Sequence, residues 1–385
     1  MAKTRLFSDF GLRDVVLKNR IMVSPMWQYV GERGFPTDWH LMNLGRLADG
    51  GAGLVFQEGT TVERRACGTP GDIGIWDEAF IPHYRRIVAL IRANGAVPGI
   101  QLMHAGRKAR TKPPAEGRGA LERTADIPDW DDWEVIGPSA IPQSRNATVP
   151  RAMTRHDIAV VTDAFVAAAT RADSAGYDVL DLHAAHGYLL HQFLSPVSND
   201  RGDAYGGSFD NRVRFAMEVV EGIRSVWPAA KALFVRLSCI DGAGWTMDDT
   251  IVLVKRLAAA GVDLIDCSSG GIIGSPLPAT AGYGYQVELA ATVRRETGMP
   301  TSAVGLIVHP EHAERILAEG AADLIALGRE LIYNPNWPMD AAQKLSDDVG
   351  FGVMPRKSGF WLERRAAAVP GLQPSTFAPG APPPT

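Results

Sequence analysis

The sequence predicts an α/β fold of the (β/α)8 TIM-barrel class, and three observations carry that expectation. Eight short apolar runs alternate with helix-periodic stretches, the pattern of parallel strands joined by crossover helices. Several of the runs stop in polar or glycine residues, as barrel strands do where they deliver chemistry to one mouth. The 385 residues also suit one such barrel with insertions.

In chain order, the first predicted strand is 20–24, built on Ile21-Met22-Val23, and the second is 53–57, built on Leu54-Val55-Phe56. The third, 97–102, ends in Gln101 and Leu102, and the fourth, 177–182, runs into His183-Ala184-Ala185-His186-Gly187-Tyr188. The remaining four are 232–238, 262–267, 300–304 and 323–327, each an apolar run too short for a helix. Amphipathic stretches at 81–93, 156–175, 211–226, 250–260, 287–297 and 310–319 supply the crossovers. One domain is expected over 1–365. It is interrupted by a long excursion at 105–155 punctuated by Pro113, Pro114, Pro128, Pro138, Pro142 and Pro150. A connection of that length after the third strand is expected to shape or cover the pocket. The segment 366–385, Pro/Ala/Gly-rich from Val369 onward, is expected to be disordered.

Composition narrows the function classes. With 39 basic against 43 acidic residues the net charge is −4, so no basic footprint points to nucleic acid. No apolar run approaches membrane-spanning length and no signal-like apolar stretch follows the N-terminal residues, so the cytoplasm is the expected location, without a membrane partner. Cys67, Cys239 and Cys267 are too few and too widely spaced for a disulfide framework or an iron–sulfur cluster.

His183, His186 and Tyr188 carry the strongest chemical signal. Two imidazoles three residues apart can grip one oxygen, and a phenol two residues on can supply a proton, which suits an enzyme acting on a carbonyl compound. The His-x-x-His spacing also admits a metal, but no companion cluster of ligands follows and no metal is expected. The other predicted strand ends offer Ser24, Pro25, Met26, Trp27 and Tyr29, then Gly59, Gln101, Arg236, Gly305, Gly328 and Arg329. Glycines at 305 and 328 let backbone N–H groups approach a phosphate, and Arg329 adds a charge-assisted bond. Gln101 offers donor and acceptor to a ring imide edge, and Arg236 can hold negative charge on a reduced ring. The set suits a planar heterocycle that carries a phosphate.

The block His183 to Tyr188, with Phe193-Leu194-Ser195-Pro196, Ser198-Asn199-Asp200-Arg201 and Tyr205-Gly206-Gly207-Ser208-Phe209-Asp210-Asn211-Arg212, resembles the signature of the Old Yellow Enzyme flavoprotein family. Leu17-Lys18-Asn19-Arg20-Ile21, Gly99-Ile100-Gln101-Leu102, His104-Ala105-Gly106-Arg107-Lys108 and Gly328-Arg329-Glu330-Leu331 extend the resemblance over about residues 5 to 365. His186, where other branches have Asn, is similar to the bacterial thermophilic-like branch that includes xenobiotic reductases.

The resemblance implies a barrel holding non-covalent FMN and a ping-pong cycle in which NADPH or NADH reduces the flavin and leaves. An enone or nitroalkene then occupies the same place. It implies that His183 and His186 bind the activating oxygen, that hydride passes from flavin N5 to the β-carbon, and that Tyr188 protonates the α-carbon. By the same resemblance Ser24, Pro25, Met26, Gly59, Gln101, Arg236, Gly305, Gly328 and Arg329 bind FMN, and Tyr29 lines the substrate cavity. One pocket serving both partners agrees with the absence of a Gly-x-Gly-x-x-Gly fingerprint. Trp361 and Arg364 resemble the branch's C-terminal aromatic and arginine, which reach a neighbouring protomer's site in a homodimer or homotetramer. Trp27 departs from the pattern, since the branch usually has a cysteine beside the flavin ring. It is expected to stack near the ring and to reshape the cavity. Two other readings remain: a dehydrogenase that desaturates cyclic ketones, and a catalytically silent flavin-binding sensor or scaffold. The chain after Arg329 is expected to be too short for the iron–sulfur and second flavin modules of longer relatives.

Overall fold

The computed structural model describes residues 4–117, 119–274 and 281–371. Eight parallel strands close into a barrel: β1 Ile21–Val23, β2 Leu54–Thr61, β3 Val97–Met103, β4 Val179–Ala184, β5 Ala232–Ser238, β6 Leu264–Ser268, β7 Thr301–Ala303 and β8 Leu324–Leu327, with β8 pairing back to β1. Every residue of β2, β4, β5 and β6 is buried. Helices on one face and packed side chains on the other leave such strands no wet side, which is why they read as continuous apolar runs.

The crossovers lie where the periodicity puts them: Ile81–Ala93, Arg155–Ala175, Phe209–Val226, Met247–Ala259, Val287–Thr297 and Pro310–Ala318. Their ends are set locally. Thr154 accepts a hydrogen bond from the Asp157 N–H while the Asp157 carboxylate accepts one from the Thr154 N–H, closing a capping box, and Gly176 ends that helix at φ +97°. Two elements add to the sequence reading. Helix Asp38–Asp49 follows β1, and an antiparallel hairpin, Phe10–Leu12 with Val15–Leu17, places Leu12, Val15 and Leu17 in one cluster with Met22, Phe56 and Phe234. That cluster fills the N-terminal end of the barrel and leaves the opposite mouth for function.

β2 runs four residues beyond its predicted end because the ladder slips between Gln57 and Gly59, a bulge that gives Glu58 no partner on β3. The excursion after β3 folds into short 3₁₀ turns and a two-residue parallel pairing of Ile136–Gly137 with Arg151–Ala152. It is pinned by Trp133, fully buried, whose indole N–H donates to the Cys67 carbonyl at 2.9 Å. At the other end, helix Arg356–Ala368 carries the ordered chain three residues into the segment read as a disordered tail. Residues 372–385 lie outside the described set.

Candidate active site

Two cavities open at the C-terminal mouth, and Trp27 and His186 line both. The first, about 500 Å³, is bounded by Ser24, Pro25, Met26, Arg236, Gly305, Gly328 and Arg329. The second, about 510 Å³, lies under the excursion and is lined by Tyr29, Tyr188 and residues 107–112 among others.

β4 delivers His183, which borders neither cavity, and the turn that follows brings His186 to their junction. His186 sits at φ +57° and Gly187 at +74°, where a Cβ on residue 187 would overlap the Gly271 carbonyl. Glycine is therefore required there. The two imidazoles stand edge to face at 5.2 Å, and the Tyr188 ring lies 4.9 Å from His183. His183 Nδ1 accepts from the Ala185 N–H at 3.3 Å, which places its proton on Nε2. His186 is fixed by its backbone N–H donating to Ser238 Oγ at 2.9 Å and by a 2.7 Å contact between Nε2 and Ser268 Oγ. Burial, and then the Arg236 charge, hold both imidazoles well below the usual histidine range, so both are neutral at pH 7. Neutral imidazoles can donate to a substrate oxygen without first losing a charge to the buried site.

Register aligns His183, Arg236 and Asp266 across β4, β5 and β6. Arg236 Nε lies 3.3 Å from Asp266 Oδ2, yet the pair is misaligned for a hydrogen bond and both atoms are left without one. One layer deeper, Gln101 Nε2 donates to Asp181 Oδ2 at 2.7 Å. Burial, and then the nearby Asp266 charge, push the Asp181 carboxyl up to about 7. Gln101 borders neither cavity, because its amide is turned to Asp181.

The first cavity fits FMN. Ser24 Oγ and Arg236 Nε are buried polar atoms at its edge with no hydrogen-bond partner, an arrangement that calls for a polar ligand. At the far end Gly305 has φ +119°, closed to other residues, beside Gly328 and Arg329. Gly305→Ala is expected to weaken FMN binding by about 1–3 kcal/mol, the scale of a forced backbone conformation. Fluorescence titration of the apoprotein with FMN measures it.

Sequence reasoning missed Tyr285 and Gln286 in this cavity and gave no site role to Asp72, Arg107, Lys108, Arg110 and Lys112 in the other. Strand ends were the signal followed, and most of these residues lie on loops beyond them. Among the described residues no group of three or more His, Cys, Asp or Glu is placed to hold a metal. No helix among them is long and apolar enough to cross a membrane. Trp361 and Arg364 stand exposed on helix Arg356–Ala368 and border neither cavity of their own chain.

A parallel barrel with a phosphate-suited end, an edge-to-face pair of neutral histidines and a phenol defines a flavin-dependent oxidoreductase. Residues 5–348 match the model of the NADH:flavin oxidoreductase / NADH oxidase family, and the chain belongs to that family, the Old Yellow Enzymes. It is 41% identical over 355 residues to an NADPH dehydrogenase of Geobacillus sp. (strain WCH70), covering 91% of this chain and 97% of that one. Among solved structures it is similar to the Old Yellow Enzyme homologue from Zymomonas mobilis. There the TM-score is 0.73 and the identity 25%, with 88% of this chain and 92% of that one covered. It is also similar to a 2-naphthoyl-CoA reductase, of which it spans about half (52%; TM-score 0.79, 25% identity, 88% of this chain). The protein is thus an FMN-dependent NAD(P)H oxidoreductase of the Old Yellow Enzyme type.

Proposed function

We propose that the enzyme reduces the C=C bond of small α,β-unsaturated carbonyl or nitro compounds. The observation that carries this reading is the cluster of His183, His186 and Tyr188 at the barrel mouth: His186 lines both cavities, Tyr188 lines the second, and His183 packs against both rings behind Trp27. When bound, FMN would supply the two-electron relay between NADPH or NADH and the β-carbon of the substrate. Ser24, Pro25, Met26 and Arg236, which line the first cavity, would hold its ring together with Gly59 and Gln101, which border neither cavity, and Gly305, Gly328 and Arg329 would hold its phosphate.

His183 and His186 donate to the activating oxygen and draw electron density from the double bond, while Tyr29 and Trp27 bound the substrate. Tyr188 delivers its hydroxyl proton to the α-carbon and recovers one from solvent. In sum the alkene gains a hydride and a proton, and NAD(P)H becomes NAD(P)⁺. Protomers associate as a homodimer or homotetramer so that Trp361, 70% exposed, and Arg364 reach a neighbour's site in the cytoplasm.

The protein is expected to purify yellow and to release FMN on denaturation. With NADPH it is expected to convert 2-cyclohexenone to cyclohexanone, followed by loss of the enone absorbance and by product analysis. A protein whose flavin is reduced by NADPH but which leaves enones and nitroalkenes untouched overturns the ene-reductase reading.

A further inference from the structure

The second cavity is cationic in a way that reduction of a neutral enone does not require. Among its described lining residues are Arg107, Lys108, Arg110 and Lys112, against one carboxylate, Asp72. Asp72 is spent inward: its oxygens accept from Thr69 Oγ1 at 2.6 Å and from the Gly68 N–H at 2.7 Å, and burial raises its pKa. It neutralises little of the wall.

The arginines are not matched to carboxylates either. Arg107, 4% exposed, directs its guanidinium to Gln143 Oε1 and to the carbonyls of Ile141 and Ile272. Arg110 donates to the Trp130 carbonyl and lies 4.4 Å over the Trp130 ring, and its Nε is buried with no hydrogen-bond partner. The carboxylates whose charge acts on it, Asp131 and Glu134, are already bridged to Arg123 at 2.8 Å and Arg151 at 2.7 Å. Arg110 is also held at φ +57°, a conformation costly for a side chain that packs only for its own sake. Positive charge is thus held on a concave, partly enclosed wall that also contains His186 and Tyr188, where low polarizability concentrates its field.

We propose that this cavity selects substrates bearing a carboxylate remote from the activated double bond. The carboxylate meets Arg110 and Lys112 while the enone oxygen lies at the histidines. Arg107 and Lys108 add field from donors already spent on carbonyl oxygens. The inference rests on the ene-reductase reading and names the substrate class of that site. The phosphates of NADPH are the other anions that enter, so the test separates the two half-reactions.

The FMN-loaded enzyme is assayed with a cyclohexenone carrying a short carboxyalkyl chain at C4 and with its methyl ester. The acid is expected to exceed the ester in kcat/KM by about 10- to 100-fold, the range of one or two charge-assisted hydrogen bonds. Raised salt should shrink the ratio. In R110Q and K112Q, checked for bound FMN by their visible spectra, the ratio is expected to fall toward one. In parallel, stopped-flow flavin reduction is compared for NADPH and a phosphate-free dihydronicotinamide. Equal turnover of acid and ester overturns the proposal. So does a loss in R110Q and K112Q confined to the NADPH advantage, which assigns the cations to the reductant. If neither acid nor ester is reduced while NADPH reduces the flavin, the ene-reductase reading itself has failed.

Discussion

Replacing His183 or His186 by alanine is expected to slow enone reduction by about 10- to 1000-fold, the range for removing one donor from a developing oxyanion. Both imidazoles are neutral and braced, the buried His183 by the Ala185 N–H and the half-buried His186 by Ser238 and Ser268, so their rings are held in place before substrate arrives. Flavin reduction by NADPH places no such charge on an oxygen there and should suffer less. Tyr188→Phe removes one hydroxyl from a ring held between His183 and Lys108, whose ammonium lies 5.0 Å from the ring centroid, and leaves that packing in place. It is therefore expected to slow the oxidative half-reaction alone, because only that half needs a proton on carbon. Stopped-flow measurement of each half-reaction separates these roles. If all three variants slow both halves equally, the assignments are wrong.

The barrel was legible because parallel strands buried on both faces have one composition throughout. Ala232–Ser238 coincides with its predicted span, and the other strands start or stop within two residues of theirs except β2. The β2 bulge at Glu58 was not legible. Glu58 reads as a strand terminator, whereas its carboxylate is held inside by the Gln28 N–H at 2.9 Å and lies 3.7 Å from His40. The N-terminal hairpin escaped notice because two three-residue strands leave no periodicity to count. Ser24, Pro25, Met26, Arg236, Gly305, Gly328 and Arg329 could be placed at the cavity mouth in advance because topology fixes where strand ends go. Arg107 to Lys112 could not, since irregular backbone carries no rule for which side chains turn inward. The direction of the Gln101 amide and of the Trp27 indole depends on tertiary partners, Asp181 and Gly59, that no local pattern names.

Trp27→Cys is expected to have the second large effect, on which substrates are accepted. The indole borders both cavities, lies 5.9 Å from the His183 ring and 5.1 Å from Tyr188, and packs on the bare backbone of Gly59, where a Cβ would overlap its Cζ2. His183, 2% exposed, borders neither cavity, because the indole stands on that side of it. A thiol removes most of that wall, uncovers His183 and puts a polarizable sulfur where the ring stood. Rates for bulky cyclic enones should rise by about tenfold or more relative to small ones, the scale of relieving a steric block worth ~1.4 kcal/mol, and the FMN midpoint potential should shift. Gly59→Ala supplies an independent check on the contact itself. In the native background the new methyl must displace a rigid ring, whereas in Trp27→Cys it meets open space, so the two substitutions should couple by about 0.5–3 kcal/mol in stability. Potentiometry, the large-to-small rate ratio and thermal unfolding of the four variants decide the matter. An unchanged ratio and potential, together with a Gly59→Ala cost that is the same in both backgrounds, would show that the indole turns away from both cavities.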